Sequence, residues 1–301
     1  MGTVKSTIPD QVETVETQTN LGLHVFPSSH KTLPPKKDLR SSECSPYFPS
    51  VKQSLLGSDV SYATVSAWQC GQRRKKAAKK DFVTLSTPYN YYFARTIQGN
   101  PNFDSGTTIE ASLMAAQHGL ARESSWTQRT ADSIFNKYPP HTAVLDALNF
   151  SVTSYKKILP SIQNLKACLV QGLPFMFTFD VTRGVDHWFQ SPHVQKRTGY
   201  ILNAGSIIDT TILYDKTVLA VAYDDSVGLE GAFLVRTSFG SSWGLQGHFW
   251  IPYANIMYPE FSKEFFIIDG ICDSQGSKRR CVTEPECSQF YSAEHCMTDV
   301  F

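Results

Sequence analysis

Gln53-Ser54-Leu55-Leu56-Gly57-Ser58-Asp59-Val60-Ser61-Tyr62-Ala63 leads this 301-residue chain into its clearest helical signal. From Asp59 to Gln72 the segment is built from small and apolar residues (Val60, Ala63, Val65, Ala67, Trp68), interrupted only at Gly71. That pattern predicts a helix buried on several sides. Ser58 is placed to be its N-cap, and Asp59 falls in the first turn, where the helix dipole favours a carboxylate. The basic run Arg73-Arg74-Lys75-Lys76-Ala77-Ala78-Lys79-Lys80 follows. It reads as a solvated connection rather than a nuclear-localisation or polyanion-binding patch.

Upstream, residues 1 to 35 form a polar arm ending in Leu33-Pro34-Pro35, where paired prolines oppose helix. Asp38 to Pro49 reads as a loop entering the central helix. Downstream, Leu85 to Arg95 opens a second helix with Pro88 near its first turn. Asp104-Ser105-Gly106-Thr107-Thr108-Ile109-Glu110 opens a third, with Ile109, Leu113, Ala116 and Leu120 on one face and a stop at Gly119. A short helix is expected over Ile162 to Val170, ended by Gly172-Leu173-Pro174. Strands are expected over Phe175 to Val181, Val218 to Tyr223, Gly231 to Arg236 and Gly247 to Pro252. Helices first and strands second predict an α+β arrangement. The expected divisions are an N-terminal arm (1–35), a mainly helical lobe (36–150), a β-rich lobe (151–270) and a cysteine-rich C-terminal tail (271–301).

Composition narrows the function classes. A formal net charge of +1 gives no reason to expect nucleic acid or a charged membrane as partner. No apolar run reaches transmembrane length, and Met1 to Asn20 lacks the apolar core of a secretory signal, so an intracellular (cytoplasmic or nuclear) location is expected. Met1-Gly2-Thr3-Val4-Lys5-Ser6 fits a myristoylation pattern at Gly2. Of the seven cysteines, Cys272, Cys281, Cys287 and Cys296 lie in the tail, with Cys44, Cys70 and Cys168 before them. Free thiols are the plain expectation in a reducing compartment. The tail carries too little apolar content to fold alone and needs a staple, a metal or another surface. Its cysteines lack close Cys-x2-Cys pairs, which argues against zinc and leaves tail or inter-chain disulfides as the reading. No metal or other cofactor is expected.

Several motifs, in order, resemble papain-like cysteine peptidases. The opening stretch resembles their nucleophile segment, in which a Gln precedes Gly-Ser-Cys at the head of the central helix. Lys216-Thr217-Val218-Leu219-Ala220-Val221-Ala222-Tyr223-Asp224-Asp225 is similar to the family's H-A-V-L-x-V-G-Y-D-D, and Val235-Arg236-Thr237-Ser238-Phe239-Gly240-Ser241-Ser242-Trp243-Gly244 to its V-R-N-S-W-G-x-x-W-G. Leu85 to Trp126 follows the helical lobe. The resemblance covers roughly residues 36 to 270 and implies the papain-like two-lobed fold, with the central helix starting near Ser58.

The resemblance also implies three catalytic positions, and all three are replaced. Asp59 stands for the cysteine, Lys216 for the histidine and Thr237 for the asparagine, while Gln53 retains the oxyanion-type glutamine. A carboxylate cannot replace a thiolate as nucleophile on a peptide carbonyl, and a lysine beside a carboxylate is a poor proton shuttle because that charge should raise its pKa. Asp59 and Lys216 would reproduce the charges of the family's thiolate and imidazolium as an ion pair; the alternative reading is drift, with the two charges not touching. The sequence reading is therefore an inactive homologue, a pseudoprotease. Its first expectation is a structural, self-assembling role through arm, tail and cleft, in the extreme a viral occlusion or other intracellular crystalline matrix. A regulatory or peptide-binding pseudoprotease and a hydrolase of altered chemistry are the alternatives. The expected partners are further copies of the chain or a peptide in the former substrate groove.

Overall fold

The computed structural model describes residues 23–25, 32–41, 44, 56–75, 82–127, 135–192, 202, 211–274 and 280–282. In chain order its elements are β1 (Lys36–Asp38), α1 (Asp59–Lys75), α2 (Thr87–Ile97), α3 (Ile109–Gln117), α4 (His141–Ala147), β2 (Phe150–Lys157), α5 (Ile162–Val170), β3 (Phe175–Thr182), α6 (Arg183–Gln190), β4 (Ile212–Asp224), β5 (Ala232–Arg236), β6 (His248–Pro252), α7 (Tyr253–Ile256) and β7 (Ser262–Asp273). Among the described residues no helix is long and apolar enough to cross a membrane.

The strands form one antiparallel sheet in the order β2-β7-β3-β4-β5-β6, with β1 added against the far end of β4. Side chains on a strand alternate between faces, and here both faces are covered. Phe175, Phe177 and Phe179 of β3 join Val218, Ala220, Phe233, Val235, Phe265 and Ile267 in one core, covered by Leu165, Cys168 and Leu169 of α5. The residues between them, Met176, Leu219, Val221, Leu234, Phe266 and Ile268, face a second core filled by Val60, Ala63, Val65 and Trp68 of α1 and by Ile109, Leu113 and Ala116 of α3. Burial on both faces explains why β3, β4 and β5 read as unbroken apolar runs.

A third cluster joins α2, α3 and α4 through Tyr89, Phe93, Ala115, Trp126, Val144 and Leu148. The tail touches it. Cys272, on β7, is bonded to Cys281, and this bond sets Val282 into the cluster, with the N–H groups of Cys281 and Val282 on the Leu148 carbonyl. The anticipated staple is thus a disulfide between β7 and residue 281.

Three helix starts carry side-chain caps that the sequence reading did not name. The Ser86, Thr108 and Ser161 hydroxyls accept from the N–H groups of Tyr89, Ala111 and Asn164 at 3.2, 3.2 and 3.1 Å. Two readings need correction. Lys36–Asp38, read as the junction of arm and loop, is a strand pairing with Asp224 to Ala222. Cys44 and Cys70, expected as free thiols, form a disulfide that ties the segment before α1 to the middle of that helix.

Gly231 shows how tightly the sheet end is built. Its φ is +96°, and a Cβ there would meet Tyr253 Cε2 at 2.3 Å, so only glycine fits.

Trp68 anchors the sheet to α1: it is fully buried, packs edge-on against Phe150 and donates its Nε1–H to the Ser151 carbonyl at 2.8 Å. Trp68→Ala is expected to cost about 3–5 kcal/mol in chemical denaturation, and a loss under about 1 kcal/mol would contradict this packing. His248, 6% exposed, is held down to a pKa of about 3, first by burial and then by the charges of Arg236 and Arg40. Its folded value lies below its unfolded one, so the stability it contributes is full above about pH 6.5 and is lost as pH falls toward 3, at roughly 1.4 kcal/mol per pH unit. Denaturation at pH 7 and pH 4.5 should show a shallower acid loss in His248→Asn than in the natural chain; equal losses would contradict the assignment.

Candidate functional site

The site forms where β4 outruns β5. β4 pairs with β3 from Ile212 onward, but its pairing with β5 begins only at Leu219. The β5-side edge of Lys216 and Thr217 is therefore open to other partners. The N-terminus of α1 fills the opening: the Thr217 N–H donates to Asp59 Oδ2 at 2.6 Å, linking residues 158 positions apart.

The other wall is the turn before α3. Arg95, fully buried, donates from Nη1 to the Pro101 and Phe103 carbonyls at 2.9 and 2.8 Å and from Nη2 to the Phe135 carbonyl at 2.7 Å. That clamp presents Asp104, whose Oδ1 accepts the Gly57 N–H at 2.9 Å and the Tyr91 hydroxyl. Gly57 lies against Gly106, where a Cβ on Gly57 would come within 3.3 Å of the Gly106 Cα. The two backbones approach closely because neither carries a side chain.

Between the walls lies a cleft of about 910 Å³, bordered by Gly57, Asp59, Gly106, Asp215, Lys216, Phe239 and Glu264 among others. Tyr214 and Phe239 also border an adjoining hollow of about 430 Å³ lined by Asp186, Phe189 and Trp243. Glu264 holds a φ of +60°, uncommon outside glycine, and burial raises its pKa. No cysteine borders the cleft among the described residues. Cys168, the free thiol among them, lies on the buried face of α5, where its Sγ–H donates to the Asn164 carbonyl and burial pushes its pKa up.

The structure brings the three predicted positions together. Asp59 and Lys216 border the cleft, and Asp59 and Thr237 share a small void beside it. Thr237 is buried, and its Oγ1 accepts the Phe239 N–H at 3.0 Å. Gln53, Gly2, Cys287 and Cys296 lie outside the described residues.

Three details depart from the sequence reading. Ser58 sits at the cap position, its carbonyl accepting the Tyr62 N–H at 3.1 Å, but its buried hydroxyl makes no hydrogen bond. The expected Asp59–Lys216 ion pair is not a contact, since no N···O distance within 4 Å joins them. Asp59 takes the Thr217 N–H instead, and the Lys216 ammonium lies 4.3 Å from the centre of the Phe239 ring. And Lys216, 5% exposed, has its pKa lowered, because burial outweighs the attraction of Asp59. Burial likewise raises Asp59, against the pull of Lys216 and of the backbone N–H groups. The sequence reading weighed the charge and missed the burial. The contribution of Phe239 was also missed; its place two residues after Thr237 carries no signal until the loop is folded.

Two separately held charges should respond differently to removal. Lys216→Met removes a desolvated cation and is expected to raise stability by roughly 1 kcal/mol, while Asp59→Ala orphans the Thr217 N–H and is expected to cost roughly 1–3 kcal/mol. Similar losses from both in urea denaturation would mean that the two charges form a direct pair after all.

The chain resembles proteins already described. An uncharacterized peptidase C1-like protein of Acanthamoeba polyphaga mimivirus is 27% identical over 232 residues, spanning 74% of this chain and 70% of that one. Xylellain, a cysteine protease from Xylella fastidiosa, superposes with a TM-score of 0.69 at 28% identity, covering 83% of this chain and 91% of that structure. A procathepsin B from Trypanosoma congolense shares the fold at 14% identity, with a TM-score of 0.63 over 86% of this chain and 85% of that one. No protein-family model matches the chain. Helices packed on an antiparallel sheet, with these likenesses, give the chain the fold of the papain-like cysteine proteases, and its sequence is similar to theirs.

Proposed function

We propose that this chain is a catalytically silent papain-like protein whose cleft holds a polypeptide segment without cutting it. One observation carries the reading. At the head of α1, where the motif resemblance sets a thiolate, Asp59 presents a carboxylate bound to the Thr217 N–H. A carboxylate attacking an amide gives a tetrahedral adduct that expels the carboxylate, the better leaving group, faster than the amine, and the relay that would protonate the amine is gone. Lys216 is set over Phe239, and the Thr237 hydroxyl is used by the Phe239 N–H.

The cleft supports retained binding. Its volume of about 910 Å³ is at the upper end of those that hold small ligands, and it is open to an extended segment. The self-assembly reading draws on the arm and the tail, most of which lie outside the described residues, so the cleft is the firmer basis.

The test is hydrolysis of a broad panel of peptidyl fluorogenic substrates by the natural chain beside the variant Asp59→Cys, Lys216→His, Thr237→Asn. Silence from the natural chain with activity gained by the variant is the expected outcome. Cleavage by the natural chain would overturn the proposal.

A further inference from the structure

Lys216 has an arrangement that neither the fold nor the loss of a protease mechanism requires. It is 5% exposed and borders the cleft. Among the described residues no carboxylate oxygen lies within the 4 Å of an ion pair, and its nitrogen instead sits 4.3 Å from the centre of the Phe239 ring. The charged groups near it are Asp59 from α1, the exposed Asp215 beside it on β4, and Glu264 from β7 across the cleft. From β3 its cross-strand neighbour is Phe179, which is apolar. Lys156, Lys166 and Lys263, by contrast, are held at 3.0, 2.7 and 2.8 Å by Asp269, Asp225 and Asp180. Burial disfavours the ammonium more than Asp59 favours it, even with the nitrogen on the Phe239 face, and the neutral amine is the nucleophile.

We propose that Lys216 is a reactive amine that captures aldehyde-bearing ligands in the cleft as a reversible imine. The Nζ lone pair attacks the carbonyl carbon, a C–N bond forms, and the C=O π pair moves to oxygen. A proton passes from nitrogen to that oxygen through the solvent of the cleft. The remaining N–H proton passes to the hydroxyl through the same solvent, the C–O bond breaks to release water, and the nitrogen electron pair closes the C=N bond. Aldehyde and amine give imine and water, with no oxidant or reductant consumed. Burial of Lys216 supports this, because each pKa unit below the ordinary lysine value raises the free-amine fraction near neutrality about tenfold. The ligand class is a small aldehyde, or a peptide ending in one, with an apolar group to lie against Phe239.

The inference rests on the cleft being a ligand site, and its test is independent of peptide hydrolysis. The intact protein is incubated at pH 7 with butyraldehyde and cyanoborohydride, which fixes imines as secondary amines, and each lysine's modification is followed by peptide mapping. Lys216 is expected to be modified at least about tenfold faster than the exposed Lys36 and Lys137. Lys216→Met should abolish that fast phase and leave the slow one. Asp59→Asn, which keeps the side-chain shape, should leave Lys216 the fastest site. Modification of Lys216 at or below the rate of the exposed lysines overturns the proposal, whether the cause is a charged amine or an unreachable one. Substrate cleavage in the fluorogenic panel would overturn the silent-protein reading alone and leave this result to stand or fall by itself.

Discussion

The hydrogen bond from the Thr217 N–H to Asp59 joins the head of the central helix to the free edge of β4, and the cleft depends on it. Without an acceptor there, β4 would carry an unpaired N–H where β5 has not yet begun. Two constraints are met together. The strand edge gains a partner, and the helix N-terminus gains a carboxylate, which its dipole favours. The cost is a half-buried charge, visible as the raised pKa of Asp59.

The rest of the site is arranged around that link. Arg95 holds the turn that carries Asp104, and Asp104 holds Gly57 immediately before α1. The Cys44–Cys70 disulfide fixes the same helix from its other side. Lys216, next to Thr217, is thereby placed over Phe239, separated from the carboxylate that the sequence offered it as a partner. A site that once could have been an ion pair became two charges with different attachments: one satisfied by backbone, the other facing an aromatic ring.

Much of this was legible before the fold. β3, β4 and β5 showed as apolar runs because both faces of the sheet are buried, whereas the hydroxyl caps Ser86, Thr108 and Ser161 were not named. β2 and β7 were not read as strands. Phe150–Lys157 is polar over its outer half, and Ser262–Asp273 mixes Lys263, Glu264 and Gly270 into its apolar residues, so neither has a clear period. The three site positions were found by motif, since residue type and order survive in the sequence. Their bonds were not: the Asp59 link spans 158 positions, and the sign of the Lys216 shift depends on burial, which no local pattern encodes.

The claim at the centre is a cleft that binds polypeptide and leaves it whole. The most direct measurement is to incubate the intact protein with a library of extended peptides, wash, elute, and determine the mass of each retained peptide. Retained peptides of full length are the expected result. Retained or released fragments would show that the cleft cuts, and a library that washes through would show that it does not bind.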